Sequence, residues 1–226
     1  MPTPIILRGG LPLRPGLKVG LLGGSFNPAH AGHLHISLLA LERLGLDEIW
    51  WLVSPQNPLK SPIGMAPLDQ RISGARGLAA DSRIRVLDLE AKLGTQYTVE
   101  TTTCIKSLFP QAMFVWLMGA DNLAQMPRWR RWTALFATLP IAILGRPTYS
   151  LGALAGVAAR RFRRYRVRPG KIRGLAGRRP PAWAFIPGPL HQGSATAIRK
   201  TQNTKNATTK NATTETSRGV TSHSNP

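Results

Sequence analysis

One segment near the N-terminus carries the residue types best suited to chemistry, GLLGGSFNPAHAGHLHIS at residues 20–37. Gly23 and Gly24 end an apolar run, and without a Cβ they let the backbone approach an anion closely. His30 and His33 are three residues apart, so a helical first turn would place both on one side. A helix N-terminus favours neutral imidazole, and a neutral ring can donate a hydrogen bond to a phosphate oxygen. The segment therefore predicts a phosphate site at a strand-to-helix turn.

Two other interpretations of these histidines stay open. His30 and His33 could bind a metal ion with His35 as a third ligand, although no carboxylate lies nearby in the sequence. They could also be ordinary capping residues, but three histidines within six residues after a glycine turn argue against that. We expect His35 to be structural. The segment has neither the Gly-Lys-Ser/Thr ending of a phosphate loop nor the dinucleotide-binding glycine fingerprint.

The elements around this segment predict an α/β fold, a Rossmann-like parallel sheet with helices on both faces. Such sheets bind ligands at the carboxyl ends of their strands, which is where the glycine pair falls. We expect a short Trp/Arg helix before the fifth strand. Strands are expected at 17–24, 47–54, 84–90, 112–119, 140–147 and 182–190, and longer helices at 33–45, 68–80, 97–109, 151–165 and 194–200.

The charge of the chain is strongly positive and unevenly distributed. Among 226 residues there are 30 Lys and Arg against 10 Asp and Glu, a formal net charge of +20. Nine of the acids lie in residues 1–121, whereas residues 122–214 contain none, and the densest basic stretch is 160–181. A positive balance of this kind is typical of proteins that bind anions or nucleic acids.

Composition also excludes several classes of protein. The single cysteine, Cys104, excludes a disulfide framework and a multi-cysteine zinc module, and it fits a reducing compartment. No apolar run approaches the roughly 18 residues that span a bilayer, and the N-terminus lacks a signal-peptide core. We expect a cytoplasmic protein with one domain at residues 17–200, an N-terminal extension at 1–16 and a disordered Thr/Asn/Lys-rich tail at 201–226.

Two separated motifs give the sequence a family resemblance. GSFNPAHAGH resembles the first signature of the nucleotidylyltransferase superfamily, and SATAIR (194–199) resembles its second, Ser-Ser/Thr-Thr-x-x-Arg. Three more segments are similar to those of bacterial nicotinate-nucleotide adenylyltransferases: SPQNPLK (54–60), QYTVETT (96–102) and MGADNLAQMPRWRRW (118–132). The resemblance spans roughly residues 17–200. It implies a nucleotidylyltransferase-type fold and the transfer of the adenylyl group of ATP to nicotinate mononucleotide, giving deamido-NAD and pyrophosphate in NAD biosynthesis.

The resemblance also assigns a role to individual residues. The catalytic residues would be His30, His33 and Arg199. ATP would be bound by Gly23, Gly24, Ser25, Phe26, Asp121, Ser194 and Thr196. Nicotinate mononucleotide would be bound by Lys60, Tyr97, Thr98, Trp129 and Arg146. The nucleophile would be an ionised phosphate, so no general base is needed. Mg²⁺ would be held chiefly by the triphosphate, since the chain has no Asp-x-Asp cluster and we expect no metal ligands on the protein.

Several of these assignments have plain alternatives. Asp121 could instead cap a helix that begins near Leu123, and Trp129 could be a core aromatic. Lys60 and Arg146 could be solvated basic residues. In the second signature, Ala195 stands where a serine is usual, which removes one hydroxyl that could bind phosphate.

Two other functions stay as alternatives. The chain could be another superfamily member, such as a phosphopantetheine adenylyltransferase or a cytidylyltransferase, although those chains usually lack the GADN…Trp segment. It could also be a nucleic-acid-binding protein, because Phe162 and Tyr165 are interleaved with arginines in 160–168. We prefer a basic surface segment near the polyphosphate site, and we expect neither nucleic acid nor a membrane as partner. The sequence does not predict an oligomeric state.

Overall fold

A computed structural model of the chain describes residues 14–56, 63–145 and 150–188. Its centre is one six-stranded parallel sheet with the strand order β3-β2-β1-β4-β5-β6. The strands are β1 (Lys18–Gly24), β2 (Glu48–Val53), β3 (Ile84–Leu87), β4 (Met113–Gly119), β5 (Ile141–Leu144) and β6 (Trp183–Ile186). The predicted α/β fold with a parallel sheet is confirmed.

Helices of very different length connect these strands. The α-helices are α1 (Ala31–Leu44), α2 (Leu68–Leu78), α3 (Leu89–Leu93), α4 (Thr98–Leu108), α5 (Ala120–Gln125), α6 (Trp132–Thr138), α7 (Ser150–Leu154) and α8 (Val157–Arg161). Three 3₁₀ helices follow at Met126–Arg128, Arg163–Tyr165 and Pro169–Gly177. Among the described residues, no helix is long and apolar enough to cross a membrane.

Both faces of the sheet are buried, because successive residues of a strand point to opposite faces and both sets are apolar here. On β2, Trp50 and Leu52 join the core on one face, while Ile49, Trp51 and Val53 join the core on the other. Helices α4 and α6 cover the first face, and α1 and α2 cover the second. The sheet is therefore a rigid support that holds the loops at its carboxyl edge.

The first helix starts earlier than its sequence pattern predicted. It begins at Ala31 rather than residue 33, because the His30 side chain caps its first turn. Its predicted end is confirmed, since Gly45 adopts φ 63° and its N–H donates to the carbonyl of Leu41. A left-handed residue of this kind is the usual terminus of a helix.

Other elements are shorter or more broken than predicted. The third strand ends at Leu87, and Leu89 and Glu90, which we expected in that strand, begin α3. The helix expected at 151–165 is interrupted where Gly156 is extended (φ −71°, ψ 169°), so that α7, α8 and a 3₁₀ turn take its place. Strands five and six lose residues at both ends. Residues 1–13, the helix expected at 194–200 and the tail at 201–226 lie outside the described residues.

Candidate active site

The turn between β1 and α1 has room only for glycine where it leaves the sheet. A Cβ on Gly23 would lie 2.4 Å from Cη2 of Trp116, a buried β4 side chain. Three residues later, Phe26 takes a left-handed backbone conformation (φ 46°), and its side chain is only 1% exposed. The Phe26 ring stacks on Trp51, with ring centroids 5.2 Å apart, and lies 4.5 Å from the His33 ring. The strained turn is thus held by aromatic packing beneath it.

His30 and His33 come together at the start of α1, as their spacing predicted. Their ring centroids are 3.9 Å apart. The Nδ1 of His30 accepts the backbone N–H of Gly32 at 3.1 Å, and the Nδ1 of His33 accepts the backbone N–H of His30 at 3.2 Å. A nitrogen that accepts cannot carry the proton, so the neutral tautomer of each ring has its N–H at Nε2. Both rings thereby hold a donor on the side away from their own helix.

A hydrogen-bonded chain fixes the backbone under these imidazoles. The indole N–H of Trp51 donates to Ser37 Oγ at 2.7 Å, and that hydroxyl donates to the His33 carbonyl at 2.8 Å. Trp51 and Ser37 are both completely buried. A buried, fully bonded network of this kind rigidifies the groups attached to it.

Arg71 ties the loops at the carboxyl edge together, a role that sequence reasoning missed. Its side chain is 4% exposed, and burial lowers the pKa of its guanidinium. Nη1 donates to the carbonyls of Ser25 and Ser54, each at 2.7 Å, Nη2 donates to Pro55 at 2.9 Å, and Nε donates to Ala66 at 2.8 Å. One side chain from α2 thus joins the loops after β1 and β2 to the segment that precedes α2.

Asn27 reinforces the same junction from the other side. Its amide nitrogen donates to the carbonyl of Gly64 at 3.0 Å, and its amide oxygen accepts the backbone N–H of Ala66 at 3.2 Å. The polar residue at this position of the signature therefore does more than form a turn. It binds a segment almost forty residues away to the phosphate turn.

A buried carboxylic acid lies at the same edge. Glu90, in α3, is 6% exposed, and this burial raises its pKa to about 7 despite an opposing hydrogen bond with the side chain of Ser54. Ser54 directly follows β2, and its backbone N–H donates to the Gly24 carbonyl at 2.9 Å. The sequence pattern around Glu90 predicts a strand rather than a site residue, whereas the structure places Glu90 in α3.

Tyr97 and Thr98, which are expected to bind the mononucleotide, lie near the segment that carries Trp129. Tyr97 is the N-cap residue of α4, and Thr98 is the first residue of that helix. The guanidinium of Arg130 lies 4.6 Å from the centroid of the Tyr97 ring, so the helix start and the Trp129–Arg131 segment are neighbours. Trp129 is only half-buried where it packs against the core, so its burial assigns it neither to the core nor to the pyridine ring.

Asp121 lies at the level of the phosphate turn, but it does not cap a helix as one alternative proposed. Helix α5 begins at Ala120, directly after β4, with Gly119 as its N-cap, so Asp121 lies inside the first turn. Leu22 of β1 is paired with Leu117 of β4, which brings the ends of these two strands to the same edge. Asp121 therefore lies at the same edge of the sheet as Gly24.

The remaining predicted site residues lie outside the described part of the chain. They are Lys60, Arg146, Ser194, Thr196 and Arg199. In the described part, no group of three or more His, Cys, Asp or Glu residues is arranged to hold a metal ion.

Comparisons with known proteins place this chain in a family. A family model described as cytidylyltransferase-like matches residues 21–201. A probable nicotinate-nucleotide adenylyltransferase of Parvibaculum lavamentivorans is 54% identical over 188 residues, which cover 83% of this chain and 94% of the relative. A protein of the same name from Cereibacter sphaeroides is 52% identical over 185 residues, which cover 82% of this chain and 98% of the relative.

A solved structure supports the fold. The nicotinic acid mononucleotide adenylyltransferase of Plasmodium falciparum complexed with APC superimposes with a TM-score of 0.59. The match covers 81% of this chain and 82% of that one, at 16% identity. Since the curated relatives match nearly their whole length at about half identity, the chain belongs to the nicotinate-nucleotide adenylyltransferases of the cytidylyltransferase-like family.

Proposed function

We propose that this chain transfers the adenylyl group of ATP to nicotinate mononucleotide, releasing pyrophosphate and forming deamido-NAD for NAD biosynthesis. The observation that carries the proposal is the pair of imidazoles at the start of α1, each with Nδ1 engaged by a backbone N–H. Membership of the nicotinate-nucleotide adenylyltransferases supports the same reaction.

The reaction forms one bond and breaks one. An oxygen of the mononucleotide phosphate attacks the α-phosphorus of ATP, and the bond from that phosphorus to the bridging oxygen of pyrophosphate breaks. The attacking phosphate is already ionised near neutral pH, so no proton has to be removed from it. What the protein must supply is alignment of two phosphates and stabilisation of charge as pyrophosphate leaves.

The turn after β1 supplies that stabilisation. His30 and His33 would donate from Nε2 to α- and β-phosphate oxygens, and backbone N–H groups near Gly24 and Ser25 would add further donors. The N-terminal end of the fourteen-residue helix α1 attracts the same negative charge. The side chain of Phe26 is buried in the aromatic packing, so its contribution to binding ATP would come through its backbone.

The mononucleotide would occupy the region around the start of α4. Backbone N–H groups near Tyr97 and Thr98 would receive the carboxylate of the nicotinate ring, because a helix N-terminus favours an anion. Trp129 would pack on the pyridine ring, with Arg130 stacked on Tyr97 to hold that side of the pocket. Asp121, beyond β4, would bind ribose hydroxyls.

Residues outside the described ranges complete the proposal. Ser194, Thr196 and Arg199 would hold the β- and γ-phosphates, and Lys60 and Arg146 would make further phosphate contacts. The described residues hold no carboxylate cluster fit for a divalent ion, so Mg²⁺ would enter with the triphosphate. We place the reaction in the cytoplasm, where ATP is made available to biosynthetic enzymes.

The test compares three acceptors under one set of conditions. Purified protein with ATP and Mg²⁺ is given nicotinate mononucleotide, its amide analogue or phosphopantetheine, and pyrophosphate and the adenylylated product are measured. We expect the highest kcat/KM with nicotinate mononucleotide, because only its carboxylate meets the helix N-terminus. Faster turnover of phosphopantetheine would overturn the assigned substrate, and no pyrophosphate from any acceptor would overturn the enzyme itself.

A further inference from the structure

A second concave surface lies beside the N-terminal end of β6, outside the site described above. It is a groove of about 650 Å³ whose walls carry six exposed cations: Arg164, Arg166, Arg168, Lys171, Arg178 and Arg179. We call it the basic groove. Residues on both of its walls are anchored, since the backbone N–H of Val167 donates to the Trp183 carbonyl at 2.7 Å and the Pro169–Gly177 helix packs on the sheet.

Among the described residues, the cations of this groove form no ion pair with an acidic side chain. The four ion pairs formed by the described residues use Asp47, Glu48, Asp81 and Asp88, and their basic partners are Arg14, Arg85, Arg83 and Lys92, none of which lines the groove. No acidic residue occurs anywhere in residues 122–214. Clustered cations repel one another, so a concave surface that keeps six of them uncompensated attracts an external anion.

The groove is too far from the phosphate turn to serve it directly. Trp183 is the first residue of β6. Across β5 and β4, the pairing of neighbouring strands aligns Trp183 with Leu21 of β1. Strand β6 lies three strands away from β1 in the sheet. With about 4.8 Å between strands and about 3.3 Å per residue, the start of β6 lies roughly 17 Å from Gly24. The groove is therefore separate from the phosphate turn. Ser194, Thr196 and Arg199 of the expected polyphosphate site lie outside the described residues, so the expectation that the basic segment lies near that site stays a prediction.

The extent of the charge favours a polymer over a compact ligand. Four more exposed arginines, Arg160, Arg161, Arg163 and Arg173, lie on the same segment of the chain, so ten cations fall between residues 157 and 179. A single nucleotide or an inorganic phosphate needs only a few of these cations for neutralisation. A chain with regularly repeated negative charge could meet all of them.

The side chains of the groove favour bases as well as phosphates. Tyr165 is 47% exposed at the wall and presents a ring on which a base can stack. Arg166 lies over the faces of Trp183 and Phe185, at 5.3 and 5.9 Å from the ring centroids, which holds its guanidinium in a fixed orientation. Five of the six cations are arginines, whose planar groups bind phosphate with two hydrogen bonds. A concave wall also fits a strand better than it fits a flat lipid surface.

We propose that the basic groove binds single-stranded RNA through its phosphates, with Tyr165 stacking on an unpaired base. This binding is separate from adenylyl transfer and uses the opposite part of the sheet. The phosphates of a bound RNA would balance the excess positive charge of the C-terminal half, which is more than two small anionic substrates can neutralise.

The experiment measures binding of a labelled single-stranded RNA of about 12 nucleotides by fluorescence anisotropy. Each cation that contacts a phosphate of a single strand releases roughly 0.7 counterions. If all six cations make such a contact, the affinity for RNA should fall a few hundredfold when the salt concentration rises from about 50 to about 200 mM. The double variant R164Q/R178Q should bind more weakly and show a shallower salt dependence. Its adenylyl transfer activity should equal that of the unaltered protein, which also reports that it is folded.

Matched controls separate this groove from general surface charge. R43Q/R76Q removes two exposed arginines elsewhere and should leave RNA affinity within about twofold. Y165A should lower affinity for single strands roughly tenfold and affinity for inorganic polyphosphate not at all. Equal losses of RNA affinity in R164Q/R178Q and R43Q/R76Q would overturn the proposal. It would also be overturned if polyphosphate or anionic vesicles bound as tightly as RNA, or if no RNA bound at low salt.

Discussion

The Nδ1 of His33 accepts the backbone N–H of His30 at 3.2 Å at the start of α1. The centroids of the two imidazole rings lie 3.9 Å apart. The residues that cap this helix are therefore the same residues that we propose as Nε2–H donors to phosphate. A cap leaves the imidazole nitrogens inequivalent, because the nitrogen that accepts the backbone N–H cannot carry the proton. The capping bonds thus select the tautomer that the proposed phosphate binding needs.

This double role can be separated with H33N. An asparagine oxygen can occupy the place of Nδ1 and keep the cap, but asparagine has no group where Nε2 lies. We expect kcat/KM for pyrophosphate release to fall about 10²- to 10³-fold, as for the loss of one transition-state donor. The free energy of unfolding, from urea titration, should stay within about 1 kcal/mol of the unaltered protein.

H33A provides the comparison, because it removes the cap and the donor together. It should lose as much activity as H33N and in addition about 1 kcal/mol of stability. Full activity in H33N would show that the His33 ring does not donate to phosphate. Equal stability of H33A and the unaltered protein would show that the cap contributes nothing.

Arg71 should be intolerant even of lysine. Its four hydrogen bonds to carbonyls need a planar, branched donor group, and lysine would leave some of those carbonyls buried without a donor. We expect R71K to lose about 2–4 kcal/mol in urea unfolding and to raise KM for ATP, because the loop at Ser25 loosens. R76K, on the exposed face of the same helix, should change neither quantity. Identical behaviour of the two variants would contradict the role of Arg71.

Two glycine-to-alanine substitutions should change the free energy of unfolding in opposite directions. In G23A the new methyl group would meet the buried Trp116 ring at 2.4 Å, so we expect a loss of about 1–3 kcal/mol together with lower activity. In G74A, on α2, the methyl group has open space, and a helical alanine should add about 0.5–1 kcal/mol. Thermal and urea unfolding of both variants measures the difference. A neutral G23A would mean that the Trp116 ring moves freely.

Glu90 should make stability depend on pH. Burial raises its pKa to about 7 in the folded protein, above the 4.5 of an ordinary glutamate, so the folded state holds a proton that the unfolded state releases. Its contribution to stability therefore falls as pH rises from about 4.5 to about 7 and is constant above that, a difference of about 3 kcal/mol.

E90Q isolates this effect, since it keeps the shape and cannot ionise. In urea unfolding, E90Q and the unaltered protein should be similar at pH 5, and E90Q should be the more stable of the two at pH 8. A constant difference between them at the two pH values would show that Glu90 does not titrate with a raised pKa.

The parts of the site that could be predicted from sequence are those made within one short segment. Gly23, His30 and His33 lie within eleven residues, and helix geometry alone brings the two histidines together. Arg71 could not be predicted in this way, because its acceptors are backbone carbonyls of Ser25, Ser54, Pro55 and Ala66, and carbonyls carry no sequence signal. On its own, an arginine in an amphipathic helix looks solvated.

Some parts of the fold could likewise be predicted from the sequence and others could not. The parallel sheet follows from alternating apolar runs and helical stretches, and it was predicted correctly. The start of α3 was missed, because Leu89 follows the apolar run of β3 closely and a short apolar run does not distinguish a strand from a buried helix. Asp121 was considered as a cap for a later helix, but α5 follows β4 without a loop, with Gly119 as its N-cap.

Adenylyl transfer itself is the most direct measurement of the central claim, that the paired imidazoles at the start of α1 drive this reaction. Phosphorus NMR of the unaltered protein with ATP, Mg²⁺ and nicotinate mononucleotide should show pyrophosphate and the dinucleotide phosphates appear together in equal amounts. H30N/H33N, with both caps retained and both donors removed, should be folded and form neither product at a measurable rate. Undiminished transfer by this double variant, or no transfer by the unaltered protein, would contradict the account.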